Sequence, residues 1–310
     1  METKVPAPIA LFVYNRPNHT ALTIEHLKQN DMASESELFI FSDGPKNDNK
    51  VDSVVEVRSI LSKISGFKNV SIIHRNYNYG LATNIIQGIT EIFENYDRVI
   101  VLEDDLLTSK KFLKFMNHGL SYFDQNFNIA SIHGYVYPIE GLPEYFFLRG
   151  ADCWGWATWK RAWEKFEIDG SILKKKVITN NLESIANFNG SIDYIGMLDQ
   201  QIQGKIDSWA VRWYFSAFIN DMYTVYPGQS YIQNIGTDGS GTHFTGDHFK
   251  NKFFVTLSEK EIHFIDEPVV EDPFVRKKFE NFFIHLNHRN HIVKIILYMK
   301  RILRYIVNKN

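Results

Sequence analysis

Four short apolar runs punctuate the first third of the chain, and each is followed by a segment with helical spacing. The runs are PIALFVY (8–14), ELFIFSD (37–43), VSIIH (70–74) and RVIVL (98–102). None alternates apolar with polar residues, so each reads as a strand buried on both faces. Between them, residues 51–64 space Val54, Val57, Ile60, Leu61 and Ile64 along one helical face. Residues 81–93 do the same with Leu81, Ile85, Ile89, Ile92 and Phe93. Residues 16–29 place Pro17 where a first helical turn accepts it, and 109–123 form a further helix. Repeated strand–helix units of this kind predict an α/β domain with a Rossmann-like, mostly parallel sheet and helices on both faces.

In such sheets ligands bind outside the carboxyl ends of the strands. Those ends here are polar: Asn15-Arg16, Ser42-Asp43-Gly44, Arg75-Asn76 and Glu103-Asp104-Asp105. The last is the most demanding, because three adjacent carboxylates raise one another's pKa unless a cation offsets them. Hard oxygen ligands gather Mg2+ or Mn2+, and one or two carboxylates plus substrate phosphates is the usual way such an ion is held. Acidic residues also begin helices, where they offset the macrodipole, so the triplet alone leaves both readings open. The convergence of four polar strand ends favours a ligand site.

From about residue 125 the alternation fails. Residues 129–138 read as one more strand, 154–163 (WGWATWKRAW) as aromatic loop, 171–203 as polar helix and 206–220 as a helix. The stretch 231–244 is dense in glycine and is expected to lack regular structure. The domain is expected to divide into a first half (1–125), a second half (126–265) and a helical tail (266–310). Within the tail, 285–310 carries Arg289, Lys294, Lys300, Arg301, Arg304 and Lys309 opposite an apolar stripe, the pattern of an amphipathic helix on anionic lipid. A net charge of −2 points away from nucleic acid. The single cysteine, Cys153, permits no intrachain disulfide. With no signal-peptide pattern and no long apolar run, the expected location is the cytoplasm, with peripheral contact at the inner face of the plasma membrane.

The segments PIALFVYNRP, FIFSDGPK, NYGLATNIIQGI, VIVLEDDLL and WGWATWKRAW, in this order, resemble the GT-A glycosyltransferases. The similarity is to N-acetylglucosaminyltransferase I and to bacterial family-2-like sugar transferases, and it spans roughly residues 6–245. It implies a nucleotide diphosphate-sugar donor, with a uridine lean, and a divalent cation, Mn2+ or Mg2+. It further implies that Asp105 binds the metal, Asp104 faces the ribose, Arg16 the diphosphate and Asp43 the base. Glu103 and Arg75 belong to the same donor edge. His243, in a glycine-rich loop, is a candidate second metal ligand. Trp154 and Trp156 are candidates to stack on an acceptor sugar.

Sugar transfer to a hydroxyl needs a base. Asp152, Asp199 and Asp207 are candidates, and Asp207, two residues before Trp209, is favoured by the resemblance. Related chains carry a second acid where this one has Ala210. The expected function is inverting transfer of a sugar to a glycan or lipid-linked oligosaccharide, as in surface polysaccharide synthesis. The rivals are a nucleotidyltransferase acting on sugar phosphates, which would need a glycine-rich basic loop where this chain has only NRPN, and an inactive carbohydrate-binding relative.

Overall fold

The computed structural model describes residues 5–238 and 252–286. Its first half follows the alternation: β1 (Ile9–Val13), α1 (Pro17–Lys28), β2 (Glu37–Ser42), α2 (Val51–Leu61), β3 (Asn69–His74), α3 (Leu81–Ile92) and β4 (Arg98–Glu103). A short β5 (Leu106–Thr108) and α4 (Phe112–Tyr122) come next. The second half contributes β6 (Ile129–His133), β7 (Tyr145–Arg149), β8 (Trp156–Trp159), α5 (Lys160–Trp163), α6 (Gly170–Thr179), α7 (Glu183–Ala186), α8 (Tyr194–Ile202), α9 (Trp209–Ile219), β9 (Tyr223–Pro227) and β10 (Ile232–Asn234). A further helix covers 273–286.

One eight-stranded sheet, ordered β3-β2-β1-β4-β8-β6-β9-β7, runs through both halves. β1 pairs in parallel with β2 and β4, β2 with β3, and β6 with β9. β8 is inserted antiparallel between β4 and β6, and β7 closes the far edge antiparallel to β9. Continuous apolar strands are what this layering requires. In β1, Ile9, Leu11 and Val13 enter a core shared with α1, α2 and α4, while Ala10 and Phe12 enter the opposite core with α3 and α9. Helix α3 comes so close that a Cβ on Gly88 would stand 2.6 Å from the Phe12 ring, which is why glycine is tolerated mid-helix.

Three expectations need correction. WATW is not loop but the buried interior strand β8, because its tryptophans supply core volume on both faces. The stretch 231–244 is not wholly irregular: Ile232–Asn234 pairs antiparallel with β5. The polar segment 171–203 breaks into α6, α7 and α8, with left-handed Phe188, Asn189 and Gly190 separating the last two. No helix among the described residues is long and apolar enough to cross a membrane. Nearly all of the basic segment 285–310, and His243, lie outside the described residues.

Candidate functional site

Parallel register brings the four strand ends to one edge: Val13 lies beside Ser42, Ser42 beside His74, and Phe12 beside Glu103. The next residues of each strand therefore form a single polar rim. At its centre the Arg16 guanidinium joins both aspartates, donating to Asp104 Oδ1 and, at 2.9 Å, to Asp105 Oδ2. Burial alone would pull the Arg16 pKa down, but the charges and hydrogen bonds of Asp104 and Asp105 outweigh it and raise it. Burial pushes Asp104 up, with Arg16 opposing and Asp105 adding. Burial, then Asp105 and Asp104, push Glu103 up to about 8. With Glu103 raised that far, one guanidinium faces the two aspartates, which still leaves the cluster short of positive charge.

The backbone is also fixed. Thr23 Oγ1 donates to the Asp104 carbonyl at 2.8 Å, and the Ile235 N–H donates to the Asp105 carbonyl at 2.9 Å. The segment after β10 thus crosses over the acids. Gly236 is required there, because a Cβ on it would overlap Asp105 Oδ2 and stand 3.2 Å from Arg16 Nη1. His19 and Asp238 pair beside it at 3.2 Å. Sequence reasoning missed this strap. Its only signal was a glycine in a polar stretch, and the contact spans more than a hundred residues.

Asp43 belongs to the same edge but not to a ligand-facing surface. It is 4% exposed and accepts from Asn78 Nδ2 and from the backbone N–H groups of Gly44, Tyr79 and Gly80, at 2.8 to 3.1 Å. Its carboxylate is filled by the loop it holds, which corrects the expectation that it reads a base. Arg75 needs the same correction. It lies between the Phe41 and Tyr79 rings, donates to Asn84 Oδ1 at 3.0 Å and pairs with Glu91 at 2.8 Å. Both residues brace the loop that leads into α3, leaving Tyr77 exposed on it.

Asp207 is exposed and lies against that loop: a Cβ on Gly80 would be 3.3 Å from its Oδ2. It is not a helix cap, since Ser208 caps α9 through the Val211 N–H. Asp199 is taken up by Lys174 at 2.5 Å. Trp156 is completely buried against Trp163, Trp209 and Trp213, with centroids 5.4 to 6.0 Å away, so it offers no face to a sugar and is core. Trp154 is half-buried, edge-on to Tyr135 at 4.8 Å. Asp152 is partly exposed beside it.

No group of three or more histidine, cysteine or acid side chains poised around a metal exists among the described residues. The donor set still fits a hard dication completed by phosphate oxygens. Asp104 and Asp105 are adjacent carboxylates, and their local charge imbalance is the one such an ion would cancel.

The family model described as glycosyl transferase family 2 matches residues 9–166, just over half of the chain. No curated protein matches. Among solved structures, the chain is similar to the mannosyltransferase PcManGT from Pyrobaculum calidifontis in complex with GDP-Man and Mn2+, at 11% identity over 44% of this chain and 36% of that one, with a TM-score of 0.33. It is also similar to S. aureus TarS, at 15% identity over 46% of this chain and 24% of that one, with a TM-score of 0.30. The chain therefore spans well under half the length of either.

Proposed function

Because this chain belongs to glycosyl transferase family 2, we propose that it moves a sugar from a nucleotide diphosphate donor, UDP-linked, onto a hydroxyl of a glycan or lipid-linked oligosaccharide, with inversion, in the building of surface polysaccharide. The observation that carries this reading is the cluster of Arg16, Asp104 and Asp105 at the carboxyl edge of the sheet. The first 125 residues form the donor half and 126–265 the acceptor half.

The donor diphosphate lies across the ends of β1 and β4. Arg16 is already oriented there by two carboxylates, so little side-chain freedom is lost when it meets phosphate. Asp105 would hold Mn2+ or Mg2+, with Asp104 facing the ribose. When bound, the ion supplies positive charge to the diphosphate as it departs. Tyr77 and the loop braced by Asp43 lie toward the base. Asp207 takes the proton of the acceptor hydroxyl as its oxygen bonds to the anomeric carbon. The bond from that carbon to the diphosphate breaks, and its electron pair leaves with the diphosphate. An exposed carboxylate beside Gly80 is free to do this because no side chain pairs with it among the described residues. Trp154 lies on the acceptor side.

The test is a thermal-shift panel of UDP- and GDP-sugars with and without Mn2+, followed by nucleotide release in the presence of acceptor extracts. Stabilisation by one donor that requires the metal supports the reading. Stabilisation that ignores the metal, or by none, removes it.

A further inference from the structure

We propose that Asp152, together with the hydroxyls of Tyr137 and Tyr194, forms a subsite for the ring hydroxyls of an acceptor saccharide, an inference that rests on the sugar-transfer reading above.

The placement follows from strand register. β4 and β8 run antiparallel with Val101 opposite Trp156, so Trp154 falls opposite Glu103 where the acid cluster begins. Consistent with this, Gly155 lies against Leu102, and the charges of Glu103 and Asp105 both reach the Cys153 thiol. Asp152, on the connection from β7 to β8, therefore stands beside the donor acids on the β8 side of β4. Arg16 and Asp43 stand on the other side.

The local build favours hydroxyl ligands. Asp152 Oδ1 accepts the Cys153 N–H at 2.8 Å, which fixes the carboxylate plane. Oδ2 has a long 3.4 Å contact from the Tyr226 hydroxyl, and the Cys153 thiol also hydrogen-bonds the carboxylate. No lysine or arginine pairs with Asp152 among the described residues, and the neighbouring Arg149 is taken by Asp221 and the Phe218 carbonyl. His133 Nε2 lies 3.9 Å from Oδ1 but accepts the Trp154 N–H, and burial keeps the imidazole neutral. A carboxylate at 25% exposure, with no cation and unused lone pairs, has strong acceptor capacity to offer.

Donors surround it. Tyr137, Tyr194 and Tyr226 line with Asp152 a recess of only about 10 Å³, room for one water or one sugar hydroxyl, closed at the back by Phe279 and Phe283 of the 273–286 helix. Burial and the charge of Asp152 hold all three phenols far above their ordinary pKa, so their hydroxyls remain donors. Acceptor oxygens, phenolic donors and half-buried aromatic faces are what a pyranose needs at the mouth of such a recess.

Asp152 also holds the loop, and the test separates the two roles. Asparagine keeps an oxygen for the Cys153 N–H and reverses polarity only at the second position. Full-length wild type, Asp152→Asn and Tyr194→Phe are applied to an array of printed bacterial and mammalian saccharides with UDP and Mn2+ present. UDP–Mn2+ thermal shifts are recorded alongside. Wild type is expected to retain a defined saccharide class. Asp152→Asn is expected to lose about tenfold or more in apparent affinity, and Tyr194→Phe several-fold, both with an unchanged UDP–Mn2+ shift. The inference is overturned if wild type retains no saccharide while still binding UDP–Mn2+. It is equally overturned if Asp152→Asn stays within about twofold of wild type, or loses its UDP–Mn2+ response together with its saccharide. A wild type that ignores UDP–Mn2+ altogether removes the parent reading instead.

Discussion

Gly236→Ala is the sharpest perturbation of the proposed donor site, because it adds one methyl group and no charge. The new Cβ would overlap Asp105 Oδ2, so either the carboxylate or the strap must withdraw by roughly 1 Å to restore an ordinary carbon–oxygen separation. The carboxylate is held by Arg16 at 2.9 Å, and the strap by the hydrogen bond from Ile235 to the Asp105 carbonyl. If the carboxylate withdraws, its charge-assisted bond to Arg16 is stretched or lost; if the strap withdraws, a neutral amide bond is. The Arg16 and Asp105 side chains are only 20% and 15% exposed, so water compensates little. The expected cost is about 1.5–3 kcal/mol in the first case, the range for hydrogen bonds to charged groups, and about 0.5–1.5 kcal/mol in the second. At ~2–4 °C per kcal/mol for a large domain, Tm should fall by about 1–12 °C. Misplacing Asp105 by 1 Å should also weaken Mn2+-dependent donor binding or turnover by up to about 10²-fold. Differential scanning fluorimetry with and without UDP and Mn2+ measures both. In an Asp105→Ala background the penalty of Gly236→Ala should shrink to what the 3.2 Å approach to Arg16 Nη1 costs, since the atom it strikes most closely is gone. An unchanged Tm in the single variant, or the same penalty in both backgrounds, would refute the reasoning.

Other outcomes follow from the same packing. Trp156→Ala should cost about 3–5 kcal/mol in a urea titration, as expected for a fully buried large side chain. Trp154→Ala, which removes a half-buried ring packed on Tyr135, should lower the midpoint less than Trp156→Ala does and should reduce acceptor use. Burial holds His133 below the ordinary histidine value of 6.5. The unfolded chain therefore binds the extra proton first, and stability present above pH 6.5 is lost as the pH falls below it. His133→Gln should flatten that part of the pH–stability profile. Asp207→Asn should lower kcat by about 10²–10⁴-fold while leaving donor KM nearly unchanged, as loss of a base requires; an equal rise in KM would point to a binding role.

The donor half was legible because its signals are local. Unbroken apolar runs mark the interiors of β1 and β4, which are buried on both faces, while the edge strand β3 is only partly buried, and the residues that end these parallel strands must share an edge. The acceptor half depends on contacts distant in sequence. WATW becomes an interior strand only because β4 and β6 lie on either side of it, and β10 exists only because β5 is there to pair with. The same distinction governs side chains. Arg16 and the acid pair are brought together as spacing implied. Asp43 and Arg75 sit at the right strand ends, but their polar atoms are consumed by a loop whose conformation no periodicity encodes. Trp156 is an acceptor candidate only through the resemblance carried by its WGW stretch, read as loop. In a strand with Trp209 and Trp213 beneath it, the ring is core.

The central claim is that the acids closing β4 grip a dication shared with a nucleotide's diphosphate. Isothermal titration of UDP into wild type and Asp105→Asn, each with Mn2+ and with EDTA, tests it most directly. The account predicts heat of binding only for wild type with Mn2+. Equal binding in EDTA, or by the Asn variant with Mn2+, would contradict it.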